Sequence, residues 1–334
     1  MAEGGSLQGA KNRRRRDFGY TRRLFSEATL LTRAQANLLL LAVALIWGSA
    51  FLAQAEGMAG VGPLTFTGIR FLLGTAIIAP LAWREWRLLS IRQAQPLPRD
   101  ALGISALGVL LMLGAVFQQI GIISTTITNA GFLTALYVPL VPLLGWLLLR
   151  TPAHWSVWPT STGCLAGTWL LSGAQGVDLV VGDLWVMASS VFWALHVIFV
   201  GRIAERLHAP FLIAGGQFLV CGLSSLLWAA LTETLTLDGL TLAALPIAYA
   251  GLVSVGIGYT TQVVAQRYAQ PADAAIILSA ETVFAALFGF LLMGDRLNAN
   301  GIAGCALILV CIVAVQIAPL AAAGRQALAT RRAQ

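Results

Sequence analysis

Charged side chains are scarce in this chain. Asp, Glu, Lys and Arg together make up 10% of 334 residues, where soluble domains carry about 25%. That excludes two soluble domains, which the length alone would permit. Cysteine is scarce too. Cys164, Cys221, Cys305 and Cys311 all lie in apolar runs, and no pair has metal-ligand spacing, so neither a metal centre nor a disulfide framework is implied. Enzyme signatures are missing: there is no H-E-x-x-H, G-x-S-x-G or G-x-x-x-x-G-K-[ST], and there are no paired aspartates at ligand spacing. Three scattered histidines do not make the clustered set that a membrane enzyme needs. No enzyme activity, no use of ATP, no cofactor and no metal are expected.

What is present is apolar surface: 58% hydrophobic residues and a mean hydropathy of +0.80. A spanning helix needs about 20 mostly apolar residues. Ten such runs are legible, at 37–55, 63–83, 102–123, 128–149, 156–175, 183–203, 210–231, 244–267, 272–293 and 300–319. The expected fold class is an all-α membrane protein of ten transmembrane helices. The first run, with a basic leader and Ala53-Gln54-Ala55 after it, mimics a secretory signal. The leader is about twice too long for one, so the run is read as a helix that stays in the membrane.

The net charge of +7 comes largely from Lys11, Arg13, Arg14, Arg15, Arg16, Arg22, Arg23 and Arg33. A free basic arm could bind nucleic acid. Ahead of a membrane domain it reads instead as a cytoplasmic anchor facing anionic lipid, with no nucleic-acid partner. With the N-terminus inside, 19 of the 21 Lys and Arg residues fall on the cytoplasmic side. The exceptions are Arg296 outside and Arg70 within a span, while the outer loops hold Glu56, Asp178, Asp183, Glu233, Asp238 and Asp295. The positive-inside rule therefore places both termini in the cytoplasm; the expected location is a bacterial inner membrane.

The chain also reads twice. Ile46-Trp47-Gly48-Ser49-Ala50 parallels Phe192-Trp193-Ala194-Leu195-His196, and Pro63 with Arg70-Phe71-Leu72 parallels Pro210 with Gln217-Phe218-Leu219. Gln119 parallels Gln262, Leu144–Leu149 parallels Leu287–Leu292, and Gly163-Cys164 parallels Gly304-Cys305. Each unit has five helices, an odd number, so the second must sit upside down relative to the first. The expected organisation is a tail over 1–35, one repeat over 36–175, an inverted repeat over 176–320 and a tail over 321–334. Inverted repeats are a transporter architecture, with the site near midplane between them.

The runs Leu45-Ile46-Trp47-Gly48-Ser49-Ala50-Phe51, Arg70-Phe71-Leu72-Leu73 and Asn129-Ala130-Gly131-Phe132-Leu133 resemble an EamA-type repeat of the drug/metabolite transporter superfamily. The second copy is similar through Glu281–Gly289 and Leu292-Met293-Gly294-Asp295. The resemblance covers residues 36–319 and implies a ten-helix alternating-access carrier. Within the superfamily, the bacterial aromatic and other amino-acid exporters look nearest. Two positions depart from the pattern. Thr282 stands where the second repeat usually has proline, and Arg150-Thr151-Pro152 replaces the acid that often closes the fourth helix.

Charges inside a membrane are costly and mark candidate sites. Glu281 could bind a cationic or amino group or exchange a proton, and Arg70 could hold a substrate carboxylate. Polar stripes at helical spacing add Trp47 and Gln54; Trp193 and His196, with Ser189; Thr134 and Tyr137; and Tyr259, Gln262 and Gln266. Gln119 and its neighbour Gln118 join them in the third span, and Pro139 and Pro142 are candidate gating positions. One acid, one base and several aromatics suit a zwitterion with an apolar side chain. Phosphorylated substrates would need more midplane cations than Arg70. A hydrophobic cation taken by Glu281 is the alternative substrate class; a channel or a membrane-embedded enzyme are further, weaker alternatives. The expected partners are a small-molecule substrate, the lipid bilayer and, for coupling, protons.

Overall fold

The computed structural model describes residues 31–91, 96–125, 127–172, 180–293 and 297–333, and every element among them is helical. The basic tail up to Arg23, together with Arg92, Asp178, Asp295 and Arg296, lies outside the described residues. Ten helical rods follow one another. They are α1 (Arg33–Gly57), α2 (Pro63–Ile91), α3 (Pro98–Ser124), α4 in two pieces (Ile127–Thr134 and Tyr137–Leu149) and α5 (Val157–Leu171). Then come α6 (Val181–Leu207), α7 (Pro210–Thr232), α8 (Leu237–Gln266), α9 (Pro271–Leu278, then Ala280–Phe288) and α10 (Ala299–Ala333). Among the described residues, nine are long and apolar enough to cross a bilayer. The tenth, α5, has 15 residues, a rise of about 22 Å at 1.5 Å per residue.

Local chemistry sets the helix ends. Proline opens α2, α3, α7 and α9, where its missing N–H costs no helical bond. Thr32 and Gln35 form a capping box at the start of α1. Asp100 accepts from the Leu97 amide at 2.8 Å, and Asp183 from the Val180 amide at 3.0 Å. The eighth helix starts at Leu237, seven residues before the run read from hydropathy, because Thr236 caps it by accepting from the Gly239 amide at 3.1 Å.

The packing repeats under exchange of halves. Helix α3 lies on α6 as α1 lies on α8; α3 touches α7 as α8 touches α2; α1 touches α9 as α6 touches α4. The pairs α2–α7 and α5–α10 map onto themselves and so straddle the pseudo-two-fold axis. These are two inverted five-helix repeats. At the axis the backbones approach closely: a Cβ on Gly304 would stand 2.3 Å from the Gly167 carbonyl oxygen, so α5 and α10 meet through bare backbone.

The α2–α7 pair is clamped reciprocally. Glu85 near the end of α2 accepts from the Leu212 amide of α7 at 2.8 Å. Glu233 at the end of α7 accepts from the Leu64 and Thr65 amides of α2, both at 2.8 Å. Each carboxylate meets the positive N-terminus of the other repeat's helix.

Two ends are distinct. Arg33–Asp273 and Arg206–Asp100 are ion pairs at one end, which also carries Arg84, Arg87, Arg99, Arg150, Arg202 and Arg267. Glu56, Asp183, Glu233 and Asp238 lie at the other. Exposed tryptophans ring both: Trp83, Trp86, Trp155 and Trp158 near the basic end, and Trp169, Trp185 and Trp228 near the acidic end. Such belts suit the two bilayer interfaces.

Helix α4 is not the continuous span expected over 128–149. It breaks at Ala135-Leu136 because Pro139 cannot donate to the Ala135 carbonyl and its ring crowds that oxygen. Helix α9 breaks at the matching place, Ser279, without a proline. There the Thr282 hydroxyl donates to the Ser279 carbonyl at 2.9 Å and the Ser279 hydroxyl to the Ile276 carbonyl at 2.7 Å. Side-chain bonding of this kind competes with the helical ladder.

Candidate functional site

Both breaks open onto one central chamber of about 40 Å³, room for roughly one to three waters. Its wall includes Trp47, Arg70, Tyr137, Trp193, Tyr259, Gln262 and Glu281. Helices α1, α2, α3, α4, α6, α8 and α9 all contribute, so the chamber sits between the repeats.

Arg70 is 2% exposed. Its Nη1 donates to Gln54 Oε1 at 2.8 Å, and its Nε, buried, has no partner. The guanidinium lies between the rings of Phe66 and Phe71, 5.2 and 5.3 Å from their centroids. Each ring attracts the cation through its face. Glu281 is 5% exposed and makes no hydrogen bond or ion pair with any described residue. Gly48 brings α1 against it: a Cβ there would stand 2.7 Å from the Glu281 carbonyl oxygen. An acid and a base thus face the same chamber without being paired to each other.

Aromatic rings fill the space between them. Tyr259 packs at 4.5 Å from Trp47, 5.6 Å from Phe71 and 6.1 Å from Trp193, ring centre to ring centre. Tyr259 is carried by a π-helical stretch, Ala250–Tyr259. In the i→i+5 pairing of a π-helix, residues five apart stack, so Ser254 reaches the same wall as Tyr259 and its carbonyl accepts from Trp47 Nε1 at 3.4 Å. No sequence signal pointed to Ser254, because a π-helix shifts residues off the α-helical stripe.

Four of the candidates, Gln119, His196, Ser189 and Gln266, lie outside the chamber, and Ser189, fully buried, donates to the Val186 carbonyl at 2.7 Å. Gln119 sits one layer towards the acidic end, donating to the Gln54 carbonyl at 3.4 Å. Its neighbour Gln118 faces inward instead, donating to Thr134 at 2.8 Å. His196 is fully buried behind Trp193 and bonds Gln217 at 2.9 Å. Of the two prolines expected to gate, Pro142 lines a second, larger cavity at the basic end, and Pro139 lies beside the α4 break. That vestibule measures about 420 Å³. Tyr137, whose hydroxyl donates to the Ala275 carbonyl at 3.4 Å, and Gln266, whose Nε2 donates to the Val197 carbonyl at 2.9 Å, stand between it and the chamber. The four cysteines are free thiols.

The sequence profile of the EamA-like transporter family matches residues 34–173 and again 180–316. This chain belongs to the EamA-like transporter family. The two matched segments coincide with the two packing repeats, and the EamA chain is a multi-pass membrane transporter. It is 28% identical over 285 residues to an uncharacterized transporter of Archaeoglobus fulgidus, covering 85% of this chain and 87% of that one. It is 27% identical over 290 residues to the uncharacterized transporter YwfM of Bacillus subtilis, covering 85% and 94%. A solved crystal structure 22% identical in sequence superposes with a TM-score of 0.70, covering 86% of this chain and 98% of that one, and shares its fold.

Proposed function

We propose that this EamA protein is a secondary transporter that exports small zwitterions, above all amino acids including aromatic ones, by alternating access. The observation that carries the reading is the pair of buried, mutually unpaired charges, Arg70 and Glu281, on the wall of one aromatic-lined chamber. A carboxylate would go to the guanidinium fork and an ammonium to Glu281, with the side chain against Trp47, Tyr259 and Trp193. A single cation in the chamber disfavours phosphorylated substrates. The 40 Å³ chamber is closed around a volume smaller than an amino acid, so loading requires the half-helices of α4 and α9 to part on one side or the other. The repeats over 36–175 and 176–320 are the two moving halves. The basic end, with both tails, faces the cytoplasm of a bacterial inner membrane.

A second reading, export of hydrophobic cations, is favoured by one observation: Gln54 and two phenylalanine faces already occupy Arg70, leaving Glu281 the less encumbered charge. Liposomes containing the purified protein decide between the two. Labelled amino acids and cationic dyes are tested for saturable counterflow, with and without a pH gradient. Counterflow of zwitterions but not dyes supports the first reading, dyes alone support the second, and no saturable counterflow of either class sinks both.

A further inference from the structure

The vestibule at the basic end has the features of a binding site in its own right. Its volume of about 420 Å³ falls in the range of small-molecule pockets, roughly 300–1,000 Å³. Arg202 and Arg267 stand on its wall, and neither takes part in the two ion pairs found among the described residues. The start of α9 opens into it at Gln270, Pro271 and Ala272. The Gln270 side chain does not cap that helix, so the Ala272 and Asp273 amides point outward without a helical acceptor. Gln266, 2% exposed and on the same wall, is held by its Nε2 on the Val197 carbonyl, which leaves its Oε1 buried and unpartnered. Glu205 faces the vestibule as well. The cavity begins one helical turn from the chamber: Tyr137 and Gln262 line the inner space, Val141 and Gln266 the outer.

We propose that this vestibule is a second, loading site that binds the carboxylate of a small molecule on its way to the chamber. Arg202, Arg267 and the uncapped α9 terminus hold the carboxylate, since charge-assisted donors and a helix N-terminus converge there. Gln266 Oε1 accepts from a ligand N–H, and Glu205 disfavours a second carboxylate. The assignment rests on the zwitterion reading for its ligand class. It differs from that reading in needing the carboxylate alone, where the chamber uses both charges.

The test is calorimetric titration of 3-phenylpropionate, a carboxylate without an ammonium, into the full chain in phosphatidylcholine nanodiscs. Saturable binding is expected, weakened about tenfold or more in the Arg202→Gln, Arg267→Gln double variant, as loss of two charged donors implies. Arg87→Gln, which removes an exposed charge at the same end outside the vestibule, should leave it unchanged. Absence of binding to the wild type overturns the proposal. So does loss confined to Arg70→Gln, which would put the carboxylate in the chamber, or equal loss in Arg87→Gln, which would mean diffuse attraction. Displacement by phosphatidylglycerol nanodiscs would make a lipid headgroup the occupant and overturn it too. Phenylpropionate binding that depends on Arg202 and Arg267, in a protein showing no amino-acid counterflow, would uphold the site while removing the zwitterion reading.

Discussion

Glu281 carries the sharpest consequence at the residue scale. A carboxylate buried among apolar walls is costly unless a partner or water meets it, and no described side chain does. Its oxygens face the chamber, where a ligand's ammonium would complete it. Glu281→Gln keeps the shape and removes the charge. The expected outcome is a loss of affinity for zwitterions and cations of about tenfold or more, with purification yield and thermal unfolding close to wild type. Lost transport with retained binding would assign the group to proton exchange instead. Wild-type affinity and pH dependence in a well-folded variant would remove Glu281 from the mechanism.

Two elements, α4 and α9, share a break but not its cause. In α4 the break precedes Pro139, third residue of its second piece; in α9, Thr282 is third in the corresponding piece and secures the break through its hydroxyl. A proline at that position loses two bonds to the Ser279 carbonyl, the Thr282 hydroxyl's at 2.9 Å and the Thr282 amide's at 3.2 Å, and breaks no further ladder bond, because first-turn positions lack helical acceptors. Thr282→Pro should therefore fold and transport as wild type does, which liposome counterflow and melting in detergent would check. Failure to fold would show that the α9 break depends on the hydroxyl. The α1–α9 contact is less forgiving. A Cβ at Gly48 lies 2.6 Å from Phe284 Cβ, whereas one at Gly131 meets nothing within 4 Å. Gly48→Ala should lower stability by about 1–3 kcal/mol through overpacking, seen as a lower melting temperature, and Gly131→Ala should not.

At the scale of the whole molecule, the two ends differ in charge and the repeats in orientation. Both follow from an odd number of helices per repeat and from arginines gathered at one end. A reporter fused after Gln334 should be active only in the cytoplasm, and a periplasmic signal there would overturn the orientation. The clamps at the two ends of α2–α7 join the repeats symmetrically: Glu85 and Glu233 each cap the other half's helix. Only that arrangement ties a loop acid such as Glu233 to a helix start 168 positions away in the chain.

Hydropathy and the odd, repeated unit determined from sequence alone that the fold is an inverted pair of five-helix bundles. Apolar length, charge asymmetry and repeat spacing are local or additive properties of the chain. The intramembrane charges, Arg70 and Glu281, were legible for the same reason: a charge in an apolar run is costly wherever the run ends up. Which polar residues share a space was decided only in three dimensions. Gln118 and Gln119 are neighbours in sequence, yet helix rotation turns the first into the chamber and the second towards Gln54 and Met58. His196 follows the Trp193 stripe but is drawn to Gln217 of α7. The break in α9 carries no proline to announce it, and the π-helix that brings Ser254 and Tyr259 to one wall leaves no period in the sequence. Side-chain rotation about a helix and hydrogen bonds between distant helices depend on how the rods pack, and packing is settled by the whole bundle at once.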